Sequence, residues 1–165
     1  MSADTATPEE LQTVADVLGK ARIGLLATVD QEGHVVSRPL ALIDRDFDGS
    51  VWFFVQKSSH KVHDIEREPE VNVGVETSKG WLSISGTAQL TTDPQKVDEL
   101  WNTGAEAWFD QGRQDPEVAL LEVRAHTVES WTSTEPKAVT LFKYAKAAAT
   151  GGHPENVGEN TTISL

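Results

Sequence analysis

The chain has no cysteine and few basic residues. Without cysteine, disulfide bonds, thiolate metal sites and cysteine nucleophiles are excluded. The 14 lysines and arginines are outnumbered by 26 acidic residues, which gives a net charge of -12. This balance argues against sequence-independent binding to nucleic acid and against anionic membrane surfaces, because both depend on clustered cations.

Long apolar runs and nucleotide-binding glycine loops are also missing. No apolar stretch approaches the roughly 18 residues of a membrane span, and the first residues lack the basic, apolar and cleavable pattern of a signal peptide. We therefore expect a cytoplasmic protein. No Walker or dinucleotide glycine loop occurs, and the five histidines are too scattered to predict a metal site.

A helix is predicted near the start of the chain, in "TPEELQTVADVLGKA". Thr7 is a suitable N-cap, Pro8 fits the first helical position and Glu10 completes a capping box. Gly19 is the expected terminator.

Strands dominate the middle of the chain. Alternating or apolar segments predict six of them: "RIGLLATVD", "HVVSRPLALI", "SVWFFVQ", "EVNVGVE", "WLSISGTAQL" and "EVALLEVRAHTVESW". Short helices are expected over 59–67 and in "PQKVDELW", where Asp93 is the cap. The segment "NTGAEAWFDQGRQDP" reads as a loop and "AVTLFKYAKAAA" has high helix propensity.

This order of elements predicts a mainly β, α+β protein built on an antiparallel barrel or roll. A doubly wound parallel sheet is disfavoured, because long helices do not alternate with the strands. The length indicates one domain. We assign it to residues 1–150 and predict an extended C-terminal tail over 151–165.

Basic residues cluster at the start of the short central helix, in "QKSSHKVHDIE". Cations are mildly unfavourable at the positive end of a helix dipole. Free backbone N–H groups together with the hydroxyls of Ser58 or Ser59 and the side chains of His60 and Lys61 would, however, make an anion site. The alternative is that Ser59 is a plain N-cap and that the basic side chains are solvated.

Arg38 and Pro39 interrupt an otherwise apolar strand. Proline cannot donate to a β-ladder, so this strand must lie at a sheet edge or be bulged. An arginine held beside such an edge can present its planar guanidinium to a ligand. The alternative is an edge-protecting proline beside a surface arginine.

Five tryptophans are many for this length. Most are expected to be core or interface anchors. Trp108 stands in the predicted loop, where an aromatic ring could cover a flat ligand.

The ordered segments together resemble the pyridoxamine 5′-phosphate oxidase-like flavin-binding superfamily, and within it the bacterial general stress proteins. The resemblance covers roughly residues 10–131 and rests on four segments: "LATVDQEGHVVSRPL", "FDGSVWFFVQKSSHKVHDIEREPEVNVGV", "WLSISGTAQLTTDPQKVDELW" and "AWFDQGRQDPEVALLEVRAHTVESW". It implies a split β-barrel, a homodimer, and FMN bound in a cleft at the dimer interface.

The resemblance also implies roles for individual residues. Arg38, Pro39 and Leu40 match the strand that borders the isoalloxazine. Phe54 and Val55 match the strand end beneath the flavin and its ribityl chain. The family's Ser-Arg-Lys phosphate triplet corresponds to Ser59, His60 and Lys61.

Three departures from the family pattern narrow the expected function. Val55 stands where many relatives have threonine, and His60 replaces an arginine of the phosphate triplet. Ile43 stands where the oxidases carry a lysine, so oxidation of pyridoxamine phosphate is not expected. The leading hypothesis is an FMN-binding stress protein, with or without oxidoreductase activity. A deazaflavin-dependent reductase and a cofactor-free ligand- or partner-binding barrel are the alternatives.

Overall fold

The described part of the chain is built around one antiparallel sheet. The structure is a computed structural model, and it describes residues 6–132, 145–148, 151 and 159–165. Seven strands are present in these ranges: β1 Ile23–Val29, β2 Val35–Ala41, β3 Ser50–Gln56, β4 Glu70–Thr77, β5 Gly80–Thr91, β6 Val118–Thr132 and β7 Glu159–Ser164.

Besides the helical residues 145–148, four α-helices and one 3₁₀ turn lie around this sheet within the same ranges. They are α1 Pro8–Leu18, α2 His60–Arg67, α3 Pro94–Leu100, α4 Thr103–Glu106 and the 3₁₀ turn Gly112–Gln114. The predicted capping box of α1 is confirmed, since Thr7 and Glu10 exchange both hydrogen bonds, and Gly19 is its C-cap. Most of the predicted helix in "AVTLFKYAKAAA" lies outside the described residues. The part that is described, residues 145–148, is helical.

The strand order β2-β1-β4-β5-β6-β3 places β2 at an edge, as the proline in that strand predicts. The sheet curls so that its two ends approach, and the Ile43 amide donates to the Trp52 carbonyl at 3.0 Å. β6 pairs with β5 along one side. Along its other side it pairs first with β3 and then with β7. The end of the predicted C-terminal tail therefore joins the sheet as a strand.

Two apolar clusters lie on opposite faces of the sheet. The larger fills the inner face and includes side chains from α1, α2 and most strands, among them Val14, Leu26, Phe53, Ile65 and Ile84. The smaller lies where α3 and α4 cover the outer face of β3 and β6, around Trp52, Val97, Leu100, Phe109 and Leu120. No helix in the described ranges is long and apolar enough to cross a membrane.

Candidate functional site

The candidate site begins where β3 ends and the chain turns into α2. The Ser59 amide donates to the Gln56 carbonyl at 3.0 Å, which closes the turn. Ser58 is held separately, because its hydroxyl and amide both donate to the Glu117 carboxylate, at 2.6 Å and 3.0 Å. At the other end of α2, Arg67 donates to the carbonyls of Val29 and Asp30. The helix is thus fixed to the sheet at both ends.

Ser59 occupies the N-cap position of α2, but its side chain makes no capping hydrogen bond. Its hydroxyl oxygen is buried and has no partner among the described residues. A buried hydroxyl without a partner costs free energy and calls for an explanation. The interpretation of Ser59 as a plain N-cap is therefore not supported, and its hydroxyl keeps an unused hydrogen-bonding capacity.

Lys61 follows in the first turn of the helix and is half-buried. Partial burial lowers the pKa of its ammonium group, and the nearby Arg38 guanidinium lowers it further. Within the described ranges no carboxylate forms an ion pair with this lysine. Arg38 and Lys61 are both cations, and their partial burial limits the screening of their repulsion by water. An anion bound between them would relieve this repulsion.

Arg38 reaches this position from the edge strand β2. Its Nη1 donates to the Thr28 hydroxyl at 2.6 Å and to the Leu26 carbonyl at 3.3 Å. Partial burial lowers the pKa of the guanidinium, and the Asp64 carboxylate acts in the opposite direction. The structure therefore groups Arg38 with Lys61 of α2, although the two lie on different elements and far apart in sequence.

Sequence reasoning missed two members of this cluster, Thr28 and Asp64. Both are buried, and the Thr28 hydroxyl lies 3.5 Å from Asp64 Oδ2. One signal was available, since Asp64 follows Lys61 by three residues and so shares its helix face. For Thr28 the signal was its register with Leu26, which places a hydroxyl on the apolar side of β1.

The other predicted site residues are dispersed around this cluster. Leu40 packs against the inner core, Val55 is buried within it, and Pro39 is exposed on β2. The His60 side chain is exposed and makes no hydrogen bond among the described residues. Their predicted contacts with a flavin stay predictions.

Phe54 lies on the opposite side of β3, and Trp108 lies just after α4. The Phe54 ring meets the Trp101 ring edge-on at 5.4 Å and lies 6.5 Å from Phe109, so it belongs to the outer cluster. Trp108 is 74% exposed. No described contact joins it to the cations, and its role as a cover for a ligand stays a prediction.

The donor set at the start of α2 fits a phosphate monoester. It contains an unpartnered hydroxyl on Ser59, two cationic side chains and the first amides of the helix, which have no partner within it. The described residues contain no cluster of three or more histidines or acids that could hold a metal ion.

Comparisons with known proteins identify the family to which the chain belongs. A model of the family described as pyridoxamine 5′-phosphate oxidase like matches residues 9–155. A relative from Neurospora crassa, protein bli-3, is 26% identical over 175 residues, which cover 98% of this chain and 83% of the relative.

Two solved structures are similar over most of their length. A candidate general stress protein 26 from Jannaschia sp. CCS1 is 26% identical with a TM-score of 0.74, over 96% of this chain and all of its own. A general stress FMN/FAD binding protein from Xanthomonas citri is 30% identical with a TM-score of 0.67, over 78% of this chain and 92% of its own. These neighbours confirm the split β-barrel expected from the sequence.

Proposed function

The chain belongs to the pyridoxamine 5′-phosphate oxidase-like family, and from that premise we propose that it binds FMN, with the phosphate at the start of α2. The observation that carries the proposal is the buried Ser59 hydroxyl without a partner, beside the cations Lys61 and Arg38. The FMN/FAD binding described for the relative from Xanthomonas citri supports a flavin.

A bound flavin would supply hydride or single-electron transfer, while the protein would supply binding, orientation and electrostatics. Ser59 and the first helical amides would donate to phosphate oxygens, and Lys61 and Arg38 would balance a charge of about −1.5 to −2. Because Arg38 lies beside Lys61, we propose it for the phosphate rather than for the isoalloxazine that the resemblance implies. No described residue stands out as a general acid or base. We therefore propose a flavin-binding protein of the general stress type and assign it no specific oxidoreductase reaction.

Oxidation of pyridoxamine phosphate is not part of the proposal. Ile43 stands where the resemblance expects a lysine in the oxidases. It packs against the outer apolar cluster and offers no charge to a second phosphate.

We further propose that the protein is a homodimer with the flavin at the interface. The outer face of the sheet is covered by α3 and α4 at the β3–β6 end. Away from these helices several large apolar side chains are exposed, and we call four of them the tryptophan face: Ile23, Leu25, Trp81 and Trp131. Apolar and aromatic surface of this kind is typical of the core of subunit interfaces.

Titration of flavin fluorescence tests the FMN proposal. Charge-assisted hydrogen bonds are worth about 1.5–3 kcal/mol each, so we expect FMN to bind at least tenfold more tightly than riboflavin. Lys61→Ala should abolish most of this preference while leaving riboflavin affinity nearly unchanged. Lys79→Ala removes the same charge from the distant β4–β5 turn, and it should change neither affinity.

Two results would count against the proposal. Equal affinities of the unmodified protein for FMN and riboflavin would remove the phosphate site. An absence of quenching by both ligands would favour the cofactor-free barrel.

A further inference from the structure

A buried polar network lies beside the cations Arg38 and Lys61, and the proposed binding of FMN does not by itself explain it. Arg38 stands directly opposite Leu26 in the β1–β2 ladder, and Thr28 lies two residues further along β1. Residues two apart on a strand share a face. Arg38 therefore points toward the inner side of the sheet, where Leu26 and Thr28 are 0% and 1% exposed. A charged side chain on this side needs partners that hold it.

Thr28 is the strongest of these partners. Its hydroxyl oxygen accepts from Arg38 Nη1 at 2.6 Å, a short contact typical of a charge-assisted hydrogen bond. Because the oxygen accepts from arginine, its own proton is free to point elsewhere. The nearest described acceptor for that proton is Asp64 Oδ2, at 3.5 Å on α2.

The result is a chain from the cation through a hydroxyl to a buried carboxylate. Asp64 is 7% exposed and so has little freedom to move away. Its Oδ2 lies at the outer limit of hydrogen-bond distance from the Thr28 hydroxyl, and its negative charge partly offsets that of Arg38. The network joins the edge strand to the helix that carries Ser59 and Lys61.

The network fixes only one nitrogen atom of the Arg38 guanidinium. Among the described residues, the hydrogen bonds of Arg38 all come from Nη1, and none comes from Nε or Nη2. The Arg38 side chain as a whole is only partly buried. A guanidinium is planar and rigid, so fixing one nitrogen fixes the direction of the others.

We propose that Thr28, backed by Asp64, is a positioning residue that aims the free edge of Arg38 at the phosphate and thereby sets the preference for a phosphorylated flavin. The inference rests on the proposed FMN function. It adds that the preference depends on a hydroxyl that touches no part of the ligand. A merely structural Thr28 would influence stability but not the choice between FMN and riboflavin.

The test compares Thr28→Val with Thr28→Ser. Valine keeps the shape of threonine and removes the hydroxyl, whereas serine keeps the hydroxyl. We expect Thr28→Val to reduce the ratio of FMN to riboflavin affinity roughly tenfold, the equivalent of one charge-assisted hydrogen bond. Thr28→Ser should retain most of the ratio. Thermal unfolding of both variants without ligand checks that each remains folded.

A double-mutant cycle identifies the route of the effect. In an Arg38→Met background, Thr28→Val should have no further effect on the ratio, because the residue it positions is gone. An undiminished ratio in folded Thr28→Val, or an equal loss in both backgrounds, would overturn the inference. Failure of the FMN proposal would look different, since the unmodified protein would itself show no preference for FMN.

Discussion

Lys61 carries its charge where burial and a neighbouring cation both oppose it. The pKa of its ammonium group is therefore lowered from the ordinary value of 10.5 in the free protein. A bound phosphate favours the charged form and would raise this pKa again. Binding of FMN is thus coupled to protonation of Lys61, and the coupling has a defined direction.

We expect the ratio of FMN to riboflavin affinity to fall as the pH rises through the lowered pKa of Lys61, below pH 10.5. Titration of the flavin ring affects both ligands and cancels in the ratio. Lys61→Arg is the matched control, because a guanidinium stays charged throughout this range. A steady ratio in the unmodified protein would show that Lys61 does not act on the phosphate.

The two adjacent serines, Ser58 and Ser59, show that the role of a single residue cannot always be predicted from its sequence neighbours. The segment "KSSHK" predicts a basic helix start and an anion site. It does not predict that Ser58 bonds to a carboxylate while the Ser59 hydroxyl has no partner among the described residues. Ser58 is taken by Glu117, which lies 59 positions later in the chain. A partner at that separation becomes visible only when β3 and β6 are paired.

At the scale of elements, β5 is shaped by a bulge against β6. The register shifts between Ser85 and Gly86, so that His126 of β6 has no counterpart in β5. A Cβ atom at Gly86 would lie 2.3 Å from the Arg124 carbonyl oxygen. The close approach of the two backbones at the bulge therefore requires glycine.

We expect Gly86→Ala to lower the free energy of unfolding by about 1–3 kcal/mol, the usual cost of overpacking. Gly74→Ala is the matched control on β4. There the added methyl group meets nothing nearer than the Leu25 Cβ at 3.9 Å. Urea unfolding at one protein concentration should find this control unchanged or stabilised by roughly 0.5–1 kcal/mol, since glycine is a poor strand residue. Equal stabilities of the two variants would show that the bulge relaxes.

Elements with local signals were predictable, and those without were not. Proline in β2 predicted an edge strand, and Asp93 does cap α3 through the Gln95 amide. The segment after α3 was predicted as a loop but contains α4, four residues long and capped by Asn102. A helix of one turn is too short for apolar periodicity to appear. The contact between Thr28 and Asp64 needed both the sheet register and the docking of α2, which no local pattern supplies.

The whole molecule has an uneven outer surface. Among the described residues, α3 and α4 cover the outer face beside β3 and β6, whereas the side chains of the tryptophan face are exposed. Trp81 and Trp131 stand directly opposite each other in the β5–β6 ladder and are 54% and 39% exposed. Proteins rarely expose contiguous apolar patches to solvent unless the patch has a binding function. The two paired tryptophans contribute to such a patch. A second copy of the chain would cover this face.

We therefore expect light scattering at micromolar concentration to find a species of twice 18.0 kDa. Trp81→Lys places a charge in the tryptophan face, opposite Glu76 in the β4–β5 ladder. It should shift the protein to monomers, because it removes the apolar indole and because a charge at an interface core is costly to desolvate even when it is paired. Gln95→Lys adds the same charge on the exposed surface of α3 and should leave the dimer intact. If the flavin lies at the interface, FMN affinity should fall in Trp81→Lys but not in Gln95→Lys. A dimer that survives Trp81→Lys would mean that the copies meet through another surface, and retained FMN affinity in a monomer would place the whole cofactor site within one chain.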